Sequence, residues 1–355
     1  MKRPWNLDRR MSRLLALGAV LPLLLVEMLY ADVSVQVAMG DSCIPVNQRL
    51  KGYVRVALVG ERPNASPESA GRHVPANVAL VLDRSGSMQG AKLSNVQEAA
   101  ILMLDRMDAN DIVSLVAYDD QIDVLVPATK LADRDKFRTA IRSLYSRNNT
   151  ALYAGVVQGI GEVQKFLDKE HVNRVVLLSD GLANVGPSTP AELGALGASA
   201  AQSGISVTTI GVGLDFNENL MATLAAKSDG NHLFAERPQD VLSAFAEESQ
   251  DIADVVAKNL SISLTLDPHI HPIRAMGREA SVQGQTVYAG LGQLTAGQTK
   301  YILLEVDIDP CANGVLPVAS AKVEYVDMLT NALAKKQATT QLVVTESPDL
   351  AKTGE

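Results

Sequence analysis

Aromatic residues are scarce, at 4% of the 355-residue chain. The core must therefore be filled mostly by Leu, Val, Ile and Ala. Long basic runs are absent and the formal net charge is −8. That excludes the clustered Lys and Arg that nucleic-acid phosphates require, and it suits a cation-binding protein better. No Gly-x-x-x-x-Gly-Lys-Ser/Thr loop occurs, so the chain has no P-loop phosphate cradle of its own. No Gly-x-Ser-x-Gly turn occurs either, which removes the usual serine-hydrolase signature. Internal repeats and low-complexity blocks are missing. There are two cysteines, Cys43 and Cys311, too few for a disulfide-built scaffold.

What is present is an ordinary globular composition, 47% hydrophobic and 20% charged. The length suggests about two domains. Lys2, Arg3, Arg9, Arg10 and Arg13 precede an apolar stretch from Leu14 to Val26, followed by Glu27 and a small residue at Ala31. This is the layout of a secretory signal, and the uninterrupted stretch falls short of the ~20 residues that span a bilayer. Residues 1–31 are thus a signal peptide or an N-terminal membrane anchor. The protein is expected outside the cytoplasm, in the periplasm or cell envelope. No later apolar run is long enough to span.

Residues 32–60 read as β, with Val33, Val35 and Val37 alternating with polar residues and Tyr53 to Val59 forming a second run, and the first β segment is drawn at 32–70. Residues 61–76 have linker composition. From 75 to 250 apolar strands alternate with amphipathic helices. This predicts an α/β fold with a doubly wound, mostly parallel sheet. Within it, Asn77 to Asp83 and Arg174 to Ser179 read as strands buried on both faces. The last helix is predicted from Asp240 to Val256. Residues 257–346 return to β, and 347–355 form a polar tail. Two strands alone make a marginal unit, so the two β segments are expected to build one β-sandwich that flanks the α/β unit or carries it as an insertion. Cys43 and Cys311 would then lie in the two halves of that sandwich, as a disulfide or as two buried thiols. A bond would close a very long loop, worth roughly 5 kcal/mol in the chain-entropy model.

One constellation carries chemistry. Asp83-Arg84-Ser85-Gly86-Ser87-Met88 follows the first α/β strand directly. It sets a carboxylate and two hydroxyls at the carboxyl end of a parallel strand, where open α/β sheets bind ligands. Thr150 opens a helix after a loop, and Asp180 ends another strand, so all are expected on one rim. The ligand set Asp83, Ser85, Ser87, Thr150 and Asp180 is all oxygen. That suits a hard cation, Mg²⁺ first, with Mn²⁺ or Ca²⁺ as alternatives, and it argues against zinc.

These residues resemble the metal-ion-dependent adhesion site of the von Willebrand factor type A family. That family's pattern is Asp-x-Ser-x-Ser, a distant Thr, and a distant Asp usually followed by Gly. Here it reads Asp83-Arg84-Ser85-Gly86-Ser87, Thr150 and Asp180-Gly181, in wording like that of bacterial members. One departure is Asn148-Asn149, where many relatives have Gly-Gly. The resemblance implies one cation held by the two serines, with Thr150 and Asp180 alternating between direct and water-mediated contact. It also implies that an acidic residue of a protein partner completes the coordination. Asn149, Asp119 and Asn184 are the candidate partner-binding rim. In relatives of the integrin type the last helix relays rearrangement of the metal site, and this chain has the connectivity for such a relay.

Three function classes follow. The first is a metal-dependent adhesion or assembly module. The second is a partner subunit of a separate AAA+ ATPase, as in chelatases, which export would exclude. The third is a metal-assisted hydrolase, for which no base stands beside the serines. A binding module without catalysis is the expectation. His269 and His271 share one strand face without a third ligand, and the sequons at Asn64, Asn148 and Asn259 read as chance.

Overall fold

The computed structural model describes residues 33–61, 74–168, 170–180, 183–214 and 216–346. The signal or anchor reading of 1–31, most of the linker reading and the tail reading fall outside those residues.

Three strands come first: β1 (Val33–Met39), β2 (Cys43–Pro45) and β3 (Leu50–Gly60). An alternating segment follows, with β4 (Ala76–Asp83), α1 (Ala91–Arg106), β5 (Ile112–Tyr118), β6 (Ile122–Lys130), α2 (Arg134–Arg142) and α3 (Leu152–Gln164). It continues with β7 (Val172–Ser179), α4 (Pro190–Gln202), β8 (Ser206–Val212), α5 (Glu218–Lys227), β9 (His232–Ala235) and α6 (Val241–Ala253). Seven strands close the described chain: β10 (Val255–Leu266), β11 (Ile270–Met276), β12 (Ser281–Gln283), β13 (Thr286–Thr295), β14 (Thr299–Ile308), β15 (Gly314–Asp327) and β16 (Leu333–Thr345).

The alternating segment forms a sheet in the order β6-β5-β4-β7-β8-β9, parallel throughout except for β6. Every residue of β4, β5, β7 and β8 is buried, which is why their sequences are nearly continuous apolar runs. Helices α1, α2 and α6 cover one face through Met103, Phe137 and Phe245. Helices α3, α4 and α5 cover the other through Val156, Leu193 and Leu224. Helix α3 approaches the sheet very closely, because a Cβ at Gly159 would lie 2.5 Å from Val81 Cγ2 and one at Gly155 2.9 Å from the Tyr118 ring. That approach fixes the start of α3, where Thr150 stands. Helix α4 starts on a capping box between Thr189 and Glu192, with Pro190 in the first turn.

The flanking strands interleave. β1 and β3 join β14 and β11 in a sheet ordered β1-β3-β14-β11, and β2 joins the sheet β12-β13-β10-β15-β16-β2. One apolar cluster lies between them, with Val54, Leu58, Leu264, Leu304, Val323 and Tyr325 in it. The predicted helix to Val256 is too long. α6 ends at Ala253 and β10 begins at Val255, since Val256 and Ala257 pack into the sandwich core. Only Asp254 separates the two elements.

The cysteines are both free thiols. Cys43 sits on β2, while Cys311 lies after β14 with its Sγ 3.2 Å from the Asp309 carbonyl. The disulfide alternative is therefore not what this structure holds: the Cys311 thiol turns back onto its own loop. His269 and His271 are engaged by Asp267 at 2.8 Å and Asp309 at 2.7 Å respectively, an ordinary pairing on an exposed strand end.

One carboxylate fastens the α/β unit to the sandwich. Asp229, between α5 and β9, accepts from Lys300 Nζ at 2.7 Å, Arg278 Nη1 at 3.1 Å, and the backbone N–H of Gly292 at 2.7 Å and Gln293 at 3.2 Å. Burial raises its affinity for a proton, but Lys300 and Arg278 outweigh that and hold its carboxyl below the ordinary range. Its folded-state pKa is therefore depressed, so its stabilisation is present above the unfolded value near 4 and disappears as pH falls through the folded one. Asp229→Asn is expected to cost about 1–3 kcal/mol at pH 7, the scale of a lost charge-assisted hydrogen bond. In urea titrations the gap from wild type should close below about pH 4. A gap unchanged at low pH would rule out this role.

Candidate metal centre

Asp83 ends β4 and is fully buried. Its Oδ1 accepts the Ser85 N–H at 2.8 Å, bending the chain into a short 3₁₀ turn over Gly86–Met88. Its Oδ2 accepts from Ser179 Oγ at 2.7 Å, with the Tyr118 hydroxyl 3.4 Å away. Burial pushes the Asp83 carboxyl up to about 6, against the lowering effect of hydrogen bonds from Ser179 and Ser85. The turn brings Ser85 Oγ and Ser87 Oγ to 3.1 Å from each other, and Ser87 Oγ donates to Asp180 Oδ1 at 2.6 Å. The other Asp180 oxygen, Oδ2, contacts the Lys92 ammonium.

Thr150 is brought in by the backbone. Gly86 N–H donates to the Asn148 carbonyl at 3.0 Å, tying the serine turn to the loop that carries Thr150. Thr150 N–H donates to Asn184 Oδ1 at 2.8 Å, and its carbonyl accepts from Asn184 N–H at 3.2 Å, tying that loop to the one after β7. Asn148 has φ +57°, a left-handed conformation that Asn tolerates better than most side chains. This accounts for Asn where glycine is common.

Beside the turn lies an ion-pair network. Arg84 Nε donates to Asp119 Oδ2 at 2.9 Å, and Arg147 contacts the same oxygen. Both arginines also reach Asp123, Arg147 at 3.0 Å. The Asp119 carbonyl accepts the Ala151 N–H at 2.6 Å. Although burial raises it, Asp119 is held below the ordinary carboxylate range by Arg147, the Gln121 N–H and Arg84.

Asp83, Ser85, Ser87 and Asp180 thus meet on one rim, and backbone hydrogen bonds bring the loop of Thr150 up to it. The rim readings fare differently. Asn149 is exposed there, and Asn184 is exposed with its amide oxygen spent on Thr150. Asp119 is not a rim residue: it is wholly buried and its carboxylate is occupied by two guanidinium groups. Sequence reasoning missed Lys92, whose signal was a lysine in the first turn of α1, against the helix dipole. It also missed the partners Arg84, Asp123 and Arg147, which sequence spacing does not bring together.

Among the described residues no group of three or more His, Cys, Asp or Glu stands ready for a metal. A centre here must be built from hydroxyls and two carboxylates. The donor set fits a hard divalent cation: two hydroxyls 3.1 Å apart, one of them 2.6 Å from a carboxylate that also attracts an ammonium.

Fold and rim define a von Willebrand factor type A domain: the family model of that domain matches residues 77–248. The chain is 27% identical over 297 residues to the protein sll0103 of Synechocystis sp., covering 81% of this chain and 68% of that one. It is 28% identical over 235 residues to inter-alpha-trypsin inhibitor heavy chain H3 of Rattus norvegicus, but the match spans only 26% of that relative. Among solved structures, the von Willebrand factor type A protein from Catenulispora acidiphila superposes with a TM-score of 0.73 at 15% identity, covering 92% of this chain and 77% of that one. This last likeness is one of fold, and it extends beyond the α/β sheet into the flanking sandwich.

Proposed function

We propose that this protein is an exported, metal-dependent protein-binding module. Asp83, Ser85, Ser87, Thr150 and Asp180 hold one divalent cation, Mg²⁺ in the first instance, as a metal-ion-dependent adhesion site. The cation supplies an electrophilic point for an acidic side chain of a partner protein. The protein residues do the rest. Ser85 and Ser87 offer neutral oxygens, so the bound ion stays electrophilic. Asp83, held by Ser85, Ser179 and Tyr118, keeps the serine turn in register, and Asn184 keeps Thr150 beside it. Adhesion or assembly of an envelope complex is the role this chemistry serves.

The observation that carries the reading is the meeting of Ser85 and Ser87, on the turn after β4, with Asp180, at the end of β7, through side-chain oxygens. Affinity capture from envelope extracts tests it, using wild type with and without EDTA, and Asp83→Ala. Partners are expected with wild type in Mg²⁺ and to be lost in both controls. Capture indifferent to EDTA and to the substitution would refute metal-dependent binding.

A further inference from the structure

Lys92 has no place in the five-residue set, yet it touches that set directly. It is the second residue of α1, in a first turn that holds no acidic residue. An ammonium there faces the positive end of the helix dipole and is disfavoured unless something holds it. What holds it is Asp180. The Asp180 side chain is fully buried, and its two oxygens are divided between Ser87 Oγ at 2.6 Å and the Lys92 ammonium. Gly213, at φ +82°, also lies against the lysine: an added Cβ there would stand 3.7 Å from Lys92 Cε and Nζ. The ammonium therefore touches a buried carboxylate and has bare backbone beside it.

We propose that Lys92 is the resident counter-charge of this centre, weakening its hold on the divalent cation while leaving the loaded centre positive toward an acidic partner. This rests on the reading of the site as a cation-dependent binding centre. A cation among Ser85, Ser87 and Asp180 shares the Asp180 carboxylate with the ammonium, and the two positive charges repel. At a separation of about 4 Å, even with the full screening of bulk water, the repulsion between a double and a unit charge amounts to at least about tenfold in affinity. The sum of charge explains the benefit. Asp83 and Asp180 together balance a divalent ion. Arg84 and Arg147 are balanced by Asp119 and Asp123. Asp120 is exposed to water and turned to Asn148 at 3.1 Å. The positive charge in excess beside the cation is that of Lys92, and an incoming carboxylate meets it.

The signature is a pair of opposite effects, which a merely structural lysine does not produce. Mg²⁺ is titrated calorimetrically into wild type, Lys92→Met, Lys92→Gln and Lys92→Arg, each checked for its melting temperature. Acetate is then titrated into the Mn²⁺-loaded proteins and followed by paramagnetic broadening of its methyl resonance. Lys92→Met and Lys92→Gln are expected to bind Mg²⁺ at least about tenfold more tightly and acetate several-fold more weakly. Lys92→Arg should stay near wild type in both. Equal or weaker Mg²⁺ binding by the two neutral variants overturns the proposal, as does unchanged acetate binding. A wild type that binds no Mg²⁺ overturns the underlying reading of the site, and this proposal with it.

Discussion

Glu248→Ala is expected to lower stability by about 3–5 kcal/mol, the cost of breaking a buried ion pair from one side. In differential scanning calorimetry that corresponds to a fall of about 10 °C. Glu248 on α6 and Arg174 on β7 are both completely buried, with Oε1 and Nη1 2.9 Å apart. Thr208 Oγ1 lies between them, accepting from Arg174 at 2.6 Å and donating to Glu248 at 2.8 Å. Asn231 donates to the remaining carboxylate oxygen at 3.0 Å. Arg174 Nε and Nη2 have no hydrogen-bond partner among the described residues, so the guanidinium already depends on Glu248 for compensation. Alanine removes that compensation and leaves an isolated charge in an apolar interior. The double change Arg174→Met with Glu248→Leu should recover most of the loss, because packing replaces the pair. A single variant within 1 kcal/mol of wild type, on the scale expected of a minor surface change, would show that the pair is dispensable. The same pair fastens α6 to the sheet, and α6 runs into β10 through Asp254 alone. Any relay through the last helix, as the family resemblance implies, would first have to disturb this anchor.

Asp83→Asn should separate stability from metal binding. Folding lifts the Asp83 carboxyl from its ordinary 3.8 to about 6, chiefly because burial strips its water. The native state therefore takes up a proton more readily than the unfolded chain, and stability falls as pH rises from about 4 to about 6, then levels off. In metal-free buffer near pH 8 the ionised group costs about 3 kcal/mol. The asparagine variant should be at least as stable as wild type there, and the advantage should vanish near pH 4. Mg²⁺ should invert the ranking. Wild type gains about 2.7 kcal/mol at a hundred times its dissociation constant. The variant should gain almost nothing, because its affinity falls by about 100-fold or more. Calorimetric melts across pH, with Mg²⁺ and with EDTA, measure both halves. Equal stabilisation of the two proteins by Mg²⁺ would remove Asp83 from the site.

The α/β segment was legible because burial on both faces of a parallel sheet forces continuous apolar strands, and β4 and β7 carry that pattern openly. The Asp-x-Ser-x-Ser turn was legible because it is local. Strands β11 to β13 were not, since they are short or irregular, with Pro272 inside β11 and burial that does not alternate cleanly. The end of α6 was misread because Val255 and Val256 fit a helical spacing as well as a strand. What decided was the sandwich core, into which Val256 packs.

By itself, the sequence determined the alternating sheet, the five oxygen-bearing residues and the acidic, cation-favouring balance, all set by patterns within short stretches. Tertiary structure alone decided that Asp119 is buried under Arg84 and Arg147, that Lys92 lies on Asp180, and that Asp229 seats in the sandwich. These are meetings of charges from distant segments, and their energies depend on burial and distance, which residue order does not encode.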